Sequence, residues 1–141
     1  MPVTYQNNGI RFQYPENWQL EEESGESGWT LTLQSPNTTF LLISERGDEP
    51  PEQVLVTVRD ALKGDYPGLE ADDTIGSIAG RPAAGVDMQF ISLDLPITCG
   101  VRSFLSETGT LLVMWQAADL DWENSEAVVK AICSSMQVED V

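Results

Sequence analysis

Carboxylates dominate the side chains of this 141-residue chain that could do chemistry: 23 Asp and Glu face 7 Lys and Arg, with two cysteines and no histidine. Without histidine the chain lacks the usual general base at neutral pH, the Ser-His and Cys-His nucleophile pairs and most zinc sites. A carboxylate pair of the kind that cleaves glycosides would still be chemically sufficient if two acids converged in a cleft. No motif singles out such a pair, so no catalytic residue is assigned and the chain is read as a non-enzyme.

Other constellations fail on inspection. Asp119-Leu120-Asp121-Trp122-Glu123 begins with the oxygen spacing of a calcium loop, but the sixth position is Asn124 instead of glycine and the twelfth is Lys130 instead of glutamate. Gly76-Ser77-Ile78-Ala79-Gly80 lacks the Gly-Lys-Ser/Thr ending and the following helix of a phosphate loop. Cys99 and Cys133 stand in apolar surroundings with no Cys-x-x-Cys unit, and they read as buried, unpaired thiols. No cofactor or metal is expected.

A net charge of −16 repels nucleic-acid phosphates and anionic lipid, and favours a protein partner of basic character. The candidate partner-binding residues are Glu21, Glu22, Glu23 and Glu26 of an acidic loop over Glu21–Gly28, together with Trp122 at a helix start. Trp18, Trp29 and Trp115 are read as core. No apolar run reaches the ~18 residues of a membrane span, and the N-terminus lacks the basic and apolar blocks of a secretory signal, so a cytoplasmic protein is expected.

These residues must be held by about four strands, a helix, about four strands and a helix. Ile10, Phe12 and Tyr14 alternate with Arg11 and Gln13, as in a half-buried strand. Trp18 and Leu20 open a second strand, Trp29–Leu33 make a third and Phe40–Ser44 a fourth. Pro51 suits a first helical position, Val54, Val58, Ala61 and Leu62 space as one stripe, and Gly64 is read as a left-handed stop. Asp65–Asp73 reads as a loop, Thr74–Ile78 as a short strand, and Ala84–Phe90 as a strand broken at Asp94-Leu95-Pro96.

A hairpin over Ile97–Ala118 then turns at Glu107-Thr108-Gly109, and its arm Leu111–Trp115 is apolar on both parities, the mark of a central strand with Arg102 near the edge of its cover. Asp121 is placed to cap a last helix with Val128, Ala131, Ile132 and Met136 as its stripe. Short turns favour antiparallel pairing. The expected class is a single α+β domain over residues 1–141, an antiparallel sheet flanked by helices.

Gly9-Ile10-Arg11-Phe12-Gln13-Tyr14-Pro15-Glu16-Asn17-Trp18 resembles the opening of the Mog1/PsbP-like superfamily, which includes PsbP-like and DcrB-like proteins. Ile78–Ala83, entering a long strand, and Ile132–Met136, closing the last helix, match the same layout. The resemblance implies an α/β/α sandwich and a non-enzymatic binding role. Members include a factor that binds a Ran-type GTPase, an extrinsic photosystem II subunit and secretion-associated adaptors. No partner-binding residue of theirs matches here position by position, so none is carried over. The expected function is a protein-binding or adaptor domain that docks a partner on an acidic surface or an exposed sheet face. The alternative is a small-molecule or lipid module with a cavity between sheet and helices.

Overall fold

The computed structural model describes residues 2–26 and 28–138. The chain opens with a strand that the alternation pattern did not announce, β1 (Pro2–Asn7), which folds back on β2 (Ile10–Pro15). Asn8 and Gly9 link them at φ values of 55° and 78°, the two-residue turn for which Asn-Gly is the best sequence signal. There follow β3 (Gln19–Gly25), β4 (Gly28–Gln34), β5 (Phe40–Glu45), α1 (Pro51–Asp65), β6 (Glu70–Ile78), β7 (Arg81–Ser92), β8 (Leu95–Ser106), β9 (Gly109–Ala118), α2 (Asp119–Ser135) and β10 (Gln137–Val138).

β1, β2 and β10 form a small antiparallel sheet, and seven strands form the main antiparallel sheet in the order β3-β4-β5-β9-β8-β7-β6. The expected α+β class and helix-flanked antiparallel sheet therefore hold. α1 packs on one face against β7, β8 and β9, while α2 packs on the other against β8, β9 and β2. Strand β9 is the middle strand, with Leu111, Leu112 and Val113 all buried. Its odd residues Leu111 and Val113 join Phe12, Leu31, Ile43 and Ile132 in the α2-side core. Its even residue Leu112 joins Val54, Val86, Met88 and Val101 in the α1-side core.

Several expectations need correction. Glu21–Gly28 is not a loop: β3 runs to Gly25, with Glu22 opposite Leu31 and Glu23 opposite Thr30. Acids are tolerated there because the strand is an edge, with water along its outer side. Asp65–Asp73 is not wholly loop either, since β6, the other edge, begins at Glu70. The break expected at Asp94-Leu95-Pro96 is a two-residue turn at Leu93-Asp94, with φ of 52° and 66°; β7 runs to Ser92 and the chain is already strand again at Leu95. A left-handed leucine is costly, which is why the turn was not legible.

Gly64 does not stop α1; the helix reaches Asp65 and closes with the Tyr66 N–H on the Leu62 carbonyl at 2.8 Å. Ala61 is exposed, and Leu55 takes the buried place. Asp121 does not cap α2, which starts two residues earlier with no side-chain cap. Its carboxylate instead accepts bonds from the Thr38 N–H and hydroxyl, which hold its pKa below the usual carboxylate value. With the buried Thr39–Ser125 hydroxyl pair (2.7 Å), these bonds fix the start of α2 against the β4–β5 turn. The buried stripe of α2 is Ser125, Val129, Ile132 and Cys133, with the buried Met136 just beyond its end, leaving Val128 half-buried and Ala131 exposed.

Candidate functional site

The outer three strands β6, β7 and β8 carry different chemistry on their two faces. On the α1 side Ala71, Val86, Met88, Ile97, Cys99 and Val101 pack into a core. On the α2 side the register aligns two cross-strand rows: Trp115, Gly100, Asp87 and Asp72; then Val113, Arg102, Gly85 and Thr74. α2 covers the inner end of these rows and leaves a trough of about 420 Å³ over the outer end. A smaller hollow of about 250 Å³ lies beside Gly76–Ile78 and shares Arg102, Trp115, Trp122 and Lys130 with it.

Glycines make the floor. A Cβ on Gly100 would collide with the indole of Trp115, so that ring lies flat on the β8 backbone. A Cβ on Gly85 would come within 2.6 Å of the Arg102 side chain, and one on Gly76 within 3.1 Å. Arg102 therefore lies outward from β8 across β7 towards β6. Its guanidinium carbon sits 4.9 Å from the centre of the Trp115 ring, within cation–π range. Trp122, from the second turn of α2, stacks parallel to Trp115 at a centroid distance of 6.5 Å.

The walls are acidic. Asp72 stands directly opposite Asp87, an arrangement that costs roughly 0.2–1 kcal/mol when both are ionised. Arg102 relieves one of them, donating from Nη1 to Asp87 Oδ1 at 2.9 Å and also to its neighbour's carbonyl, Val101 O, at 2.9 Å. Asp72 has no ion-pair or hydrogen-bond partner among the described residues. Glu70 lies along the same face and Glu126 reaches Lys130 at 3.8 Å from the α2 wall. Unrelieved carboxylates around half-buried indoles suit a cation.

The thiols offer no nucleophile. Burial, with a smaller contribution from Asp87, pushes Cys99 up to about 12. Burial pushes Cys133 up to about 11, partly offset by Arg102. Both are free and buried, and at neutral pH both stay protonated.

Of the candidate partner-binding residues, only Trp122 lines the trough; Trp115, read as core, lines it too and is half-buried. Glu21, Glu22 and Glu23 lie on β3, the opposite edge of the sheet, and Glu26 in the turn after it. Glu22 is occupied structurally: its Oε1 accepts from the Tyr5 hydroxyl at 2.7 Å and from Asn8 Nδ2 at 2.9 Å. Burial and that carboxylate push Tyr5 up to about 12. Trp18 and Trp29 are buried. The acids with calcium-loop spacing bond to threonines, Asp119 to the Thr98 hydroxyl and Asp121 to Thr38. Among the described residues no group of three His, Cys, Asp or Glu side chains could hold a metal.

Arg102, Asp72, Asp87 and the glycine floor were missed as a site. The available signal was Gly76, Gly85 and Gly100 inside strand patterns, where glycine marks a close approach to backbone. A larger, apolar hollow of about 710 Å³ separates the end of β2 from α2, lined by Tyr14, Pro15, Ala127, Val128 and Ala131.

No protein-family model matches the chain, and no characterised protein matches its sequence. Solved structures do resemble it. LpqN of Mycobacterium tuberculosis, described as involved in cell envelope biogenesis, superposes with a TM-score of 0.57 at 16% identity over 99% of this chain and 90% of its own. The cyanobacterial PsbP of Synechocystis sp. PCC 6803 gives 0.59 at 17% identity over 98% and 92%. PA94 of Pseudomonas aeruginosa, a protein of unknown function described as a putative regulator, gives 0.53 at 16% over 92% and 91%. The fold is thus the PsbP/Mog1-like α+β sandwich.

Proposed function

We propose that this protein is a non-enzymatic binding domain that takes a basic segment of a protein partner into the trough between α2 and the β6–β8 face. One observation carries the reading: Asp72 and Asp87 are held opposite each other with a single arginine, bonded to Asp87 alone, to offset the pair, beside the half-buried Trp122. An incoming lysine or arginine removes the like-charge cost and gains an aromatic face, so charge steers encounter and the indole anchors the complex. The same two carboxylates also converge as a carboxylate hydrolase would need. Asp87 is tied to Arg102 and its side chain is 55% exposed, which lacks the water-excluded setting that acid–base work on a bond needs.

Among the described residues no helix is long and apolar enough to cross a membrane, and the cytoplasmic setting expected from the sequence is kept as part of this proposal. Titration with a lysine-rich peptide at low salt tests the reading, with the heat of binding measured by calorimetry as the readout. Asp72→Asn and Trp122→Ala should each weaken binding about tenfold, as the loss of one charge pair or aromatic anchor implies. Glu21→Gln with Glu23→Gln, which removes two charges from β3 against one for Asp72→Asn, should leave it nearly unchanged. Equal weakening by both sets would reduce the trough to bulk charge and sink the proposal.

The apolar hollow between β2 and α2 favours a second reading, a site for a lipid or other apolar small molecule. Ala127→Trp would fill it, and an unchanged affinity for a fluorescent fatty acid would dismiss that reading.

A further inference from the structure

The seven-stranded sheet ends in two edges that are built differently. On β3 both faces are committed: Glu21 and Glu23 project on one, Glu22 and Leu20 on the other, where Glu22 bonds to β1 and the turn beyond it and Leu20 packs on the core. No large apolar side chain is exposed along it. Charges of this kind protect an edge from other strands.

β6 lacks that protection over its second half. Thr74-Ile75-Gly76-Ser77-Ile78 carries no charge, no proline and no bulge in its pairing with β7, and it leaves a strand's worth of backbone groups unpaired on its outer side. Ile75 is 82% exposed there. The parities differ sharply. Glu70, Asp72 and Thr74 lie on the trough face in line with Asp87 and Arg102, whereas Ala71, Asp73 and Ile75 lie on the α1 face in line with Met88, Val86 and Ala84, and Asp73 there is already paired with Arg59 of α1 at 3.4 Å.

We infer that the partner segment binds β6 as an eighth strand, and that its sequence alternates basic and apolar residues. Backbone hydrogen bonds to Thr74–Ile78 supply affinity, as in other cases of strand addition, and side-chain alternation supplies register. Basic residues of the added strand fall on the trough face, within reach of Asp72 and Glu70. Apolar ones fall beside Ile75 and Ala71 on the α1 face. A one-residue slip would set lysines against Ile75 and leave the acids facing apolar groups, so one register is selected. The inference rests on the trough reading for the charge of the partner, and adds its conformation and pattern.

The test uses the full chain and a capped peptide of alternating valine and lysine, about ten residues long to exceed a typical strand. Two further versions are N-methylated, one on every valine nitrogen and one on every lysine nitrogen. Only one set of alternate amides in an added strand faces β6. One methylated version should therefore lose at least about tenfold in affinity, the equivalent of one or two hydrogen bonds, while the other binds like the parent. The Thr74–Ile78 amides should also gain protection from hydrogen exchange in the parent complex.

Equal affinity of the two methylated peptides, with binding still dependent on Asp72, would overturn the eighth strand and leave the trough reading standing. Pattern-specific loss that persists unchanged in Asp72→Asn would keep the strand and remove the trough. No binding by any version at low salt would overturn both.

Discussion

The same three strands, β6, β7 and β8, present a closed face and an open one. On the α1 side Val86, Met88, Cys99 and Val101 are buried under a helix. On the α2 side, one residue further along each strand, Asp72, Asp87 and Arg102 line the trough. Strand chemistry does not cause the difference, because both faces share one backbone. The second helix does: α2 is pinned by Thr38 and Thr39 at the β4–β5 turn, so it lies over β8, β9 and β2 and stops short of β6 and β7. A core forms where a helix covers alternating apolar residues, and a site remains where the cover ends over polar ones.

The largest effect should come where the open row enters the core. Val113, fully buried, continues the row of Arg102 and Gly85. Val113→Asp should leave the chain unfolded by circular dichroism, since an unpaired buried charge costs several kcal/mol, on the order of the whole stability. A cooperative melt near that of the parent would mean the row never reaches a closed core.

Alkali should next unsettle the closed side. A group whose folded pKa is raised contributes stability that is intact below its ordinary value and is lost as pH rises through the folded value. For the thiols that window runs from 9.0 up to about 11 for Cys133 and about 12 for Cys99. Urea midpoints should fall steadily across it, by an amount on the order of several kcal/mol. The Cys99→Ala, Cys133→Ala double variant should show a shallower slope. An identical slope would place the thiolate cost elsewhere.

Gly100→Ala probes the floor between the faces. Its methyl group must displace Trp115, so stability should drop by about 1–3 kcal/mol and the tryptophan emission should shift. Unchanged emission would separate the indole from the β8 backbone.

The smallest effect has an informative sign. Asp72→Asn removes half of a like-charge pair on an exposed edge strand, so thermal stability should rise by a few tenths of a kcal/mol even as a basic ligand binds less well. A fall in melting temperature would show that Asp72 already has a cationic partner in the free protein.

Much of this architecture was legible in advance. Leu111–Trp115, apolar on both parities, was expected to be covered on both faces; β9 is the middle strand and Leu111–Val113 are buried, whereas Met114 and Trp115 are only half-buried. The resemblance of Gly9–Trp18 and of the two later pieces to the PsbP-like layout pointed to the sandwich that the solved structures match. Asn8-Gly9 also carries the hairpin signal that pairs β1 with β2. The edges were less readable, because acids such as Glu21–Glu23 and Glu70–Asp73 lower strand propensity, yet an edge strand with water beside it tolerates them.

Local chemistry thus determined the strand periods, the central strand and the scarcity of nucleophiles, since those depend on residues a few positions apart. The trough was decided by tertiary structure. Asp72 meets Asp87, Gly100 lies beneath Trp115 and Trp122 stacks on that ring only because the register of four strands and the anchoring of α2 bring them together. Register is set by turn geometry and by which parity the core selects, so a one-residue slip would have buried the carboxylates and exposed the valines.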